Sequence, residues 1–110
     1  MSNKTLPDYA VVAARLAEIE AEMRRVRLWQ AEPLAPQKYQ FTRAFAGDTM
    51  SYDQWLQFVF IPRVKQIIET KGQFPASSSV GAQAVREFDG NRDADQLIHL
   101  LCEFDSLFRS

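Results

Sequence analysis

The 110 residues fall within the roughly 100–150 of a common single domain, so residues 1–110 are expected to share one hydrophobic core. Hydrophobic residues make up 46%, with eight Phe, three Tyr and two Trp, which excludes the compositions that stay disordered. Thirteen Lys and Arg against fourteen Asp and Glu leave a formal net charge of −1, too little for a global field that gathers nucleic-acid phosphate or anionic lipid.

Met1 to Asp8 lacks the apolar stretch of a signal peptide. The longest apolar uncharged run, Gln54 to Pro62, is less than half of the roughly 20 residues that a membrane span needs. The single Cys102 cannot form an intrachain disulfide, and beside Leu100, Leu101 and Phe104 it is expected to be a small buried apolar residue. A cytoplasmic protein is expected.

Tyr9, Val12, Leu16, Ile19, Met23 and Val26 recur at steps of three and four, which predicts a first helix with one buried stripe. Pro7 and Asp8 suit its first turn. Glu18, Glu20 and Glu22 read as a solvated face and give way to Arg24, Arg25 and Arg27, complementing the helix dipole. Pro33 and Pro36 then break the helix, and a long connection runs to about Thr49. Trp29, Leu34, Tyr39, Phe41 and Phe45 supply apolar anchors that should hold it along the bundle.

Ser51-Tyr52-Asp53-Gln54 is a capping box, with Met50 and Trp55 as its hydrophobic staple, so the second helix begins at Ser51. The run from Trp55 to Ile68 is apolar nearly all round, as befits a central helix. Pro62 removes a backbone donor and crowds the turn before it, which predicts a kink or restart near Phe60. Lys71-Gly72 closes the helix. After a short linker, Ser79 is the expected cap of a third helix bearing Val80, Ala84, Val85 and Phe88. Asp89-Gly90-Asn91 ends it, and Asp93 is the expected cap of a fourth helix carrying Leu97, Ile98, Leu101, Phe104, Leu107 and Phe108. The fold class is all-α: a small up-down bundle of about four helices, with one long irregular connection between the first and second.

The chemistry-bearing motifs mostly fail on inspection. Asp89, Asn91, Asp93 and Asp95 alternate as in a calcium loop, but the turn glycine would fall on Ala94 and the closing glutamate on Leu100. His99 and Cys102 are the sole histidine and cysteine, too few for a zinc set, and read as a partly buried structural pair. The glycines form no phosphate-cradling loop. No metal and no cofactor is expected.

The segment from Phe45 to Arg63, with Ile19-Glu20-Ala21-Glu22-Met23-Arg24 and Leu28-Trp29-Gln30, resembles the YqcC-like family of small bacterial proteins, a domain of unknown function. The resemblance spans about Leu16 to the end and is specific at Asp48-Thr49, Trp55-Leu56-Gln57 and Phe60-Ile61-Pro62-Arg63. It implies a compact helical bundle in a cytoplasmic protein, often encoded near a tRNA pseudouridine synthase, with no established activity. Ala44 stands where the family has proline, which implies a slightly more mobile loop.

Three functions remain. The first is a noncatalytic module that binds another protein, such as a tRNA-modifying enzyme, through Trp29, Asp48, Trp55, Gln57 and Arg63. In that patch Gln57 and Arg63 would be the polar rim, and Asp48 would help cap the second helix or pair with Arg63. The second is an RNA-binding accessory with Arg24, Arg25, Arg27 and Lys38 on phosphates and Trp29 as a stacking surface, which the net charge disfavours. The third is an enzyme in which Asp48, Asp53 or Glu87 acts as acid or base, and it has no paired group to support it.

Overall fold

The computed structural model describes residues 8–43, 45 and 49–108. It is an all-helical bundle, with no strand among the described residues. Helix α1 (Tyr9–Arg25) is followed by a long connection that contains one 3-10 turn, Pro36–Tyr39. Helix α2 (Tyr52–Trp55), a π turn (Leu56–Phe60) and helix α3 (Ile61–Thr70) run on as one second helix. Helix α4 (Val80–Glu87) and helix α5 (Asp95–Ser106) complete the bundle, α5 packing against both α1 and α4. No helix among the described residues is long and apolar enough to cross a membrane.

The predicted stripe of α1 is its buried face, with Val12, Leu16, Ile19 and Met23 in the core. Asp8 caps its start by accepting from the Ala10 N–H at 2.9 Å. Glu22 departs from the expected solvated face. It is only 8% exposed, because it immediately precedes Met23 on the core side, and both its carboxylate oxygens accept from Arg25, at 2.8 and 2.5 Å. Those charge-assisted bonds hold its carboxyl below the ordinary glutamate value, against the opposing effect of burial.

α1 ends in a Schellman motif. Leu28 N–H donates to the Met23 carbonyl at 2.8 Å, and Arg27 holds the left-handed position at φ 63°. The second helix ends likewise, with Gly72 N–H on the Ile67 carbonyl at 2.8 Å, but Lys71 rather than Gly72 is the left-handed residue, at φ 53°. In the connection between α1 and α2, Trp29, Leu34, Phe41 and Phe45 pack against the core as expected, and Leu28 joins them. Tyr39 does not, and is 44% exposed.

The capping box at Ser51 forms as predicted: Ser51 Oγ accepts from Gln54 N–H at 3.4 Å and Gln54 Oε1 from Ser51 N–H at 3.0 Å. Both staple residues, Met50 and Trp55, are buried. Pro62 lies in the first turn of α3, and the ladder before it is relaxed by the π turn, in which Ile61 N–H reaches back five residues to the Leu56 carbonyl. The disruption expected near Phe60 therefore takes the form of a widened turn inside a continuous helix.

The expected cap of α4 is corrected. Ser79 holds the N-cap position but makes no side-chain cap bond. The carboxylate of Asp105, from α5, replaces it: Oδ1 accepts from Val80 N–H at 2.9 Å and from the Ser78 hydroxyl at 2.6 Å, and Oδ2 accepts from Gly81 N–H at 2.8 Å and Ala82 N–H at 3.4 Å. The Tyr52 hydroxyl donates to the Val80 carbonyl at 2.6 Å. Burial, then the nearby Asp105 carboxylate, pushes the phenol pKa far up, so it stays a donor. The start of α5 is corrected as well, because Asn91 rather than Asp93 is the capping side chain, accepting from Asp93 N–H at 3.1 Å ahead of a 3-10 turn, Arg92–Ala94. Cys102 and His99, expected to be buried or partly so, are both exposed; His99 pairs with Glu103 at 2.9 Å.

α4 and α5 approach so closely that a β-carbon on Gly81 would sit 2.5 Å from the Cys102 backbone. Gly81→Ala is expected to lower unfolding stability by about 2–3 kcal/mol in urea titration, since helix backbones rather than a flexible side chain must yield. Because its folded carboxyl titrates low, Glu22 adds stability that is present above its unfolded value of 4.5 and is lost as pH falls through the lower folded value. Glu22→Gln should therefore flatten the acid limb of a plot of melting temperature against pH and leave the alkaline limb unchanged.

Candidate functional site

The second helix presents Phe60, Arg63, Val64 and Ile67 at steps of three, one and three, which is a single helical face. Trp55 would not belong to that face in a regular α-helix, where residues five apart point about 140° away from each other. The π turn brings it round. The rings of Trp55 and Phe60 stack with centroids 5.7 Å apart and planes 23° apart.

This face forms one wall of an apolar pocket of about 240 Å³. Phe74, Pro75, Ser77, Ser78 and Val80, from the stretch leading into α4, line the opposite side, and Phe104 and Phe108 line the third. The aromatic lining is continuous: Phe104 meets Phe60 edge-on at 5.1 Å and Phe108 at 5.1 Å, and Phe108 meets Phe74 at 5.6 Å. The Ser78 hydroxyl is turned to Asp105. Arg63 is the only charged residue of the lining, is exposed, and makes no ion pair among the described residues. Such a site can bind an apolar group and an anion beside it, while among the described residues no carboxylate or histidine lines it to move a proton.

Of the residues singled out in the sequence, Trp55 and Arg63 are brought together here. Gln57 is not rim. It is 7% exposed, and its amide pairs twice with the backbone of Gln30, accepting from the N–H at 2.9 Å and donating to the carbonyl at 2.8 Å. Gln57 thus fastens the connection after α1 to the second helix. Trp29 is half-buried under the Arg24 guanidinium, which lies 4.6 Å from its ring centroid. Asp48 lies outside the described residues. Phe74, Phe104 and Phe108 were missed as site residues, because only tertiary packing shows that the Phe74-Pro75 linker crosses the end of α5.

Two larger hollows are less suited to a ligand. One of about 390 Å³ lies between α1 and α3 over Ala13, Ala17 and Ala21, where Glu20 already pairs with Arg24 at 3.1 Å and Lys65 at 3.5 Å and Glu69 adds a second carboxylate. The other, a polar cleft of about 550 Å³, gathers Arg25, Arg27 and Arg92, yet Asp93 and Asp95 share it. Of the proposed phosphate contacts, Arg24 and Arg25 are tied to glutamates, and Lys38 lies apart in the 3-10 turn of the connection. Asp53 is half-buried and Glu87 is exposed, accepting from Gln83 at 2.7 Å; neither lines any of these hollows. Among the described residues no three His, Cys, Asp or Glu side chains are grouped as for a metal.

A profile of the DUF446 family, described as tRNA pseudouridine synthase C, matches residues 11–107. An uncharacterised protein of Haemophilus influenzae is 30% identical over 95 residues, which cover 84% of this chain and 87% of that protein. A tRNA pseudouridine synthase C of Pectobacterium carotovorum is 33% identical over 66 residues, covering 60% of this chain but only 18% of the synthase. The solution NMR structure of YqcC from Escherichia coli superimposes with a TM-score of 0.79 at 27% identity, covering 91% of this chain and 86% of that one.

Structural and candidate binding residues should separate on substitution. Gln57→Ala leaves the Gln30 peptide groups without partners and is expected to cost about 2 kcal/mol of stability. Arg63→Ala should stay within about 0.5 kcal/mol of the parent protein in the same urea titration.

Proposed function

The chain belongs to the DUF446 family, whose profile matches residues 11–107, and we propose that it is a noncatalytic interaction module whose aromatic pocket docks a tRNA pseudouridine synthase. The observation that carries this reading is the pocket itself: an aromatic lining with one arginine that, among the described residues, has no ion pair and no acid–base pair beside it. Trp and Arg are the residue types that most often anchor protein interfaces, and both are present at this pocket.

The choice of partner rests on the Pectobacterium relative. A stretch similar to this chain makes up 18% of a longer protein named as a tRNA pseudouridine synthase C. Two activities that work together are often joined in one chain, so a separate chain of the same kind is a natural companion of such an enzyme. The module would then act in the cytoplasm, where tRNA is modified.

The test is direct capture. The tagged chain is incubated with purified tRNA pseudouridine synthase C from the same organism, with and without ribonuclease. The synthase should be retained in both cases, and Arg63→Glu should weaken retention about tenfold or more. Failure to retain the synthase, or retention that ribonuclease abolishes, would overturn the proposal; the second result would mean that RNA bridges the two.

A further inference from the structure

The dimensions of the pocket narrow what occupies it. At about 240 Å³ it is smaller than the roughly 300–1,000 Å³ of sites that enclose cofactors and drug-sized ligands. One large apolar side chain contributed by a partner is on its scale, and interface hot spots commonly take this form, a single anchor in a dry pocket. The lining favours an apolar anchor, because Phe60, Val64, Ile67, Phe104 and Phe108 offer no polar side-chain atom to a buried hydroxyl or amide. The Ser78 hydroxyl is already committed to Asp105.

Charge supplies the second constraint. Ion pairs engage Arg15, Arg24, Arg25 and Lys65, whereas Arg63 stands at the lip with no carboxylate among the described residues. A guanidinium presents a planar fork that fits a carboxylate in two parallel hydrogen bonds. Taking the pocket as a protein-docking site, as above, we propose that it receives a linear segment of the partner in which a Leu or Phe stands next to an Asp or Glu. The apolar side chain fills the pocket, and the acid pairs with Arg63.

The probes are capped pentaglycine-based peptides carrying a central Leu–Glu, Leu–Gln, Leu–Lys or Ala–Glu pair, titrated into isotope-labelled protein while the Trp55 indole N–H and Arg63 Nε–H signals are followed by NMR. Leu–Glu should give saturable shifts at both groups and bind about three- to fivefold tighter than Leu–Gln, the gain of one exposed ion pair. Leu–Lys should be weaker still, and Ala–Glu should not saturate. Arg63→Glu, whose own spectrum reports whether it is folded, should invert the order of Leu–Glu and Leu–Lys. Equal binding of the three Leu peptides would overturn the acid requirement while leaving the docking site standing. An absence of saturable shifts with every peptide, alongside synthase capture that still responds to Arg63→Glu, would overturn the linear segment. If peptide binding and capture both fail, this inference and the docking reading fall together.

Discussion

The missing amide hydrogen of Pro62 is the constraint on which the rest of the candidate site depends. A regular helix through this position would leave the Phe58 carbonyl without its donor and press the ring into the previous turn. The chain resolves the conflict one turn earlier, where Ile61 N–H reaches the Leu56 carbonyl and the helix widens over Leu56–Phe60. The widened turn rotates Trp55 onto Phe60, whose ring in turn meets Phe104 on α5. A backbone defect is thereby converted into an aromatic surface that no uninterrupted α-helix of this sequence would present.

The opposite wall depends on a different interaction, the Asp105 carboxylate that gathers the first N–H groups of α4. Helix α4 has eight residues, short enough that an isolated helix of its length would be marginal in water. Asp105 satisfies three of its free N–H donors with a full negative charge at the positive end of the helix dipole. Tyr52 holds the same peptide region from the other side through the Val80 carbonyl. Val80 and Ser78, both on the pocket wall, are thus fixed by α2 and α5 together.

Much of the bundle can be read directly from local pattern. The α1 stripe follows from steps of three and four, the start of α2 from a capping box, and the disturbance before Phe60 from one proline, because each is set by neighbours a few residues away. Features set by distant packing are not legible in this way. Asp105 looks like any acid near the end of a helix, and only the close approach of α4 to α5 at Gly81 and Cys102 turns it into a cap. Glu22 reads as solvated because its partner Arg25 is indistinguishable in sequence from the other arginines beside it. Gln57 reads as rim because its receptor is a backbone segment 27 residues earlier. For the site itself, sequence supplied Trp55 and Arg63, which share one helix, while Phe74, Phe104 and Phe108 come from elements whose adjacency sequence does not encode locally.

The position of the α4 cap also fixes an order of events at the ribosome. Chains emerge from their N-terminus, and Asp105 is synthesised 25 residues after the Val80 N–H group that it holds. Until α5 has emerged, the first turn of α4 has no side-chain acceptor of its own, since Ser79 provides none. α4 lacks that cap until then, so it is expected to consolidate together with α5. The pocket wall built on Val80 and Ser78 is completed at the same moment, because both residues are held by Asp105 of α5.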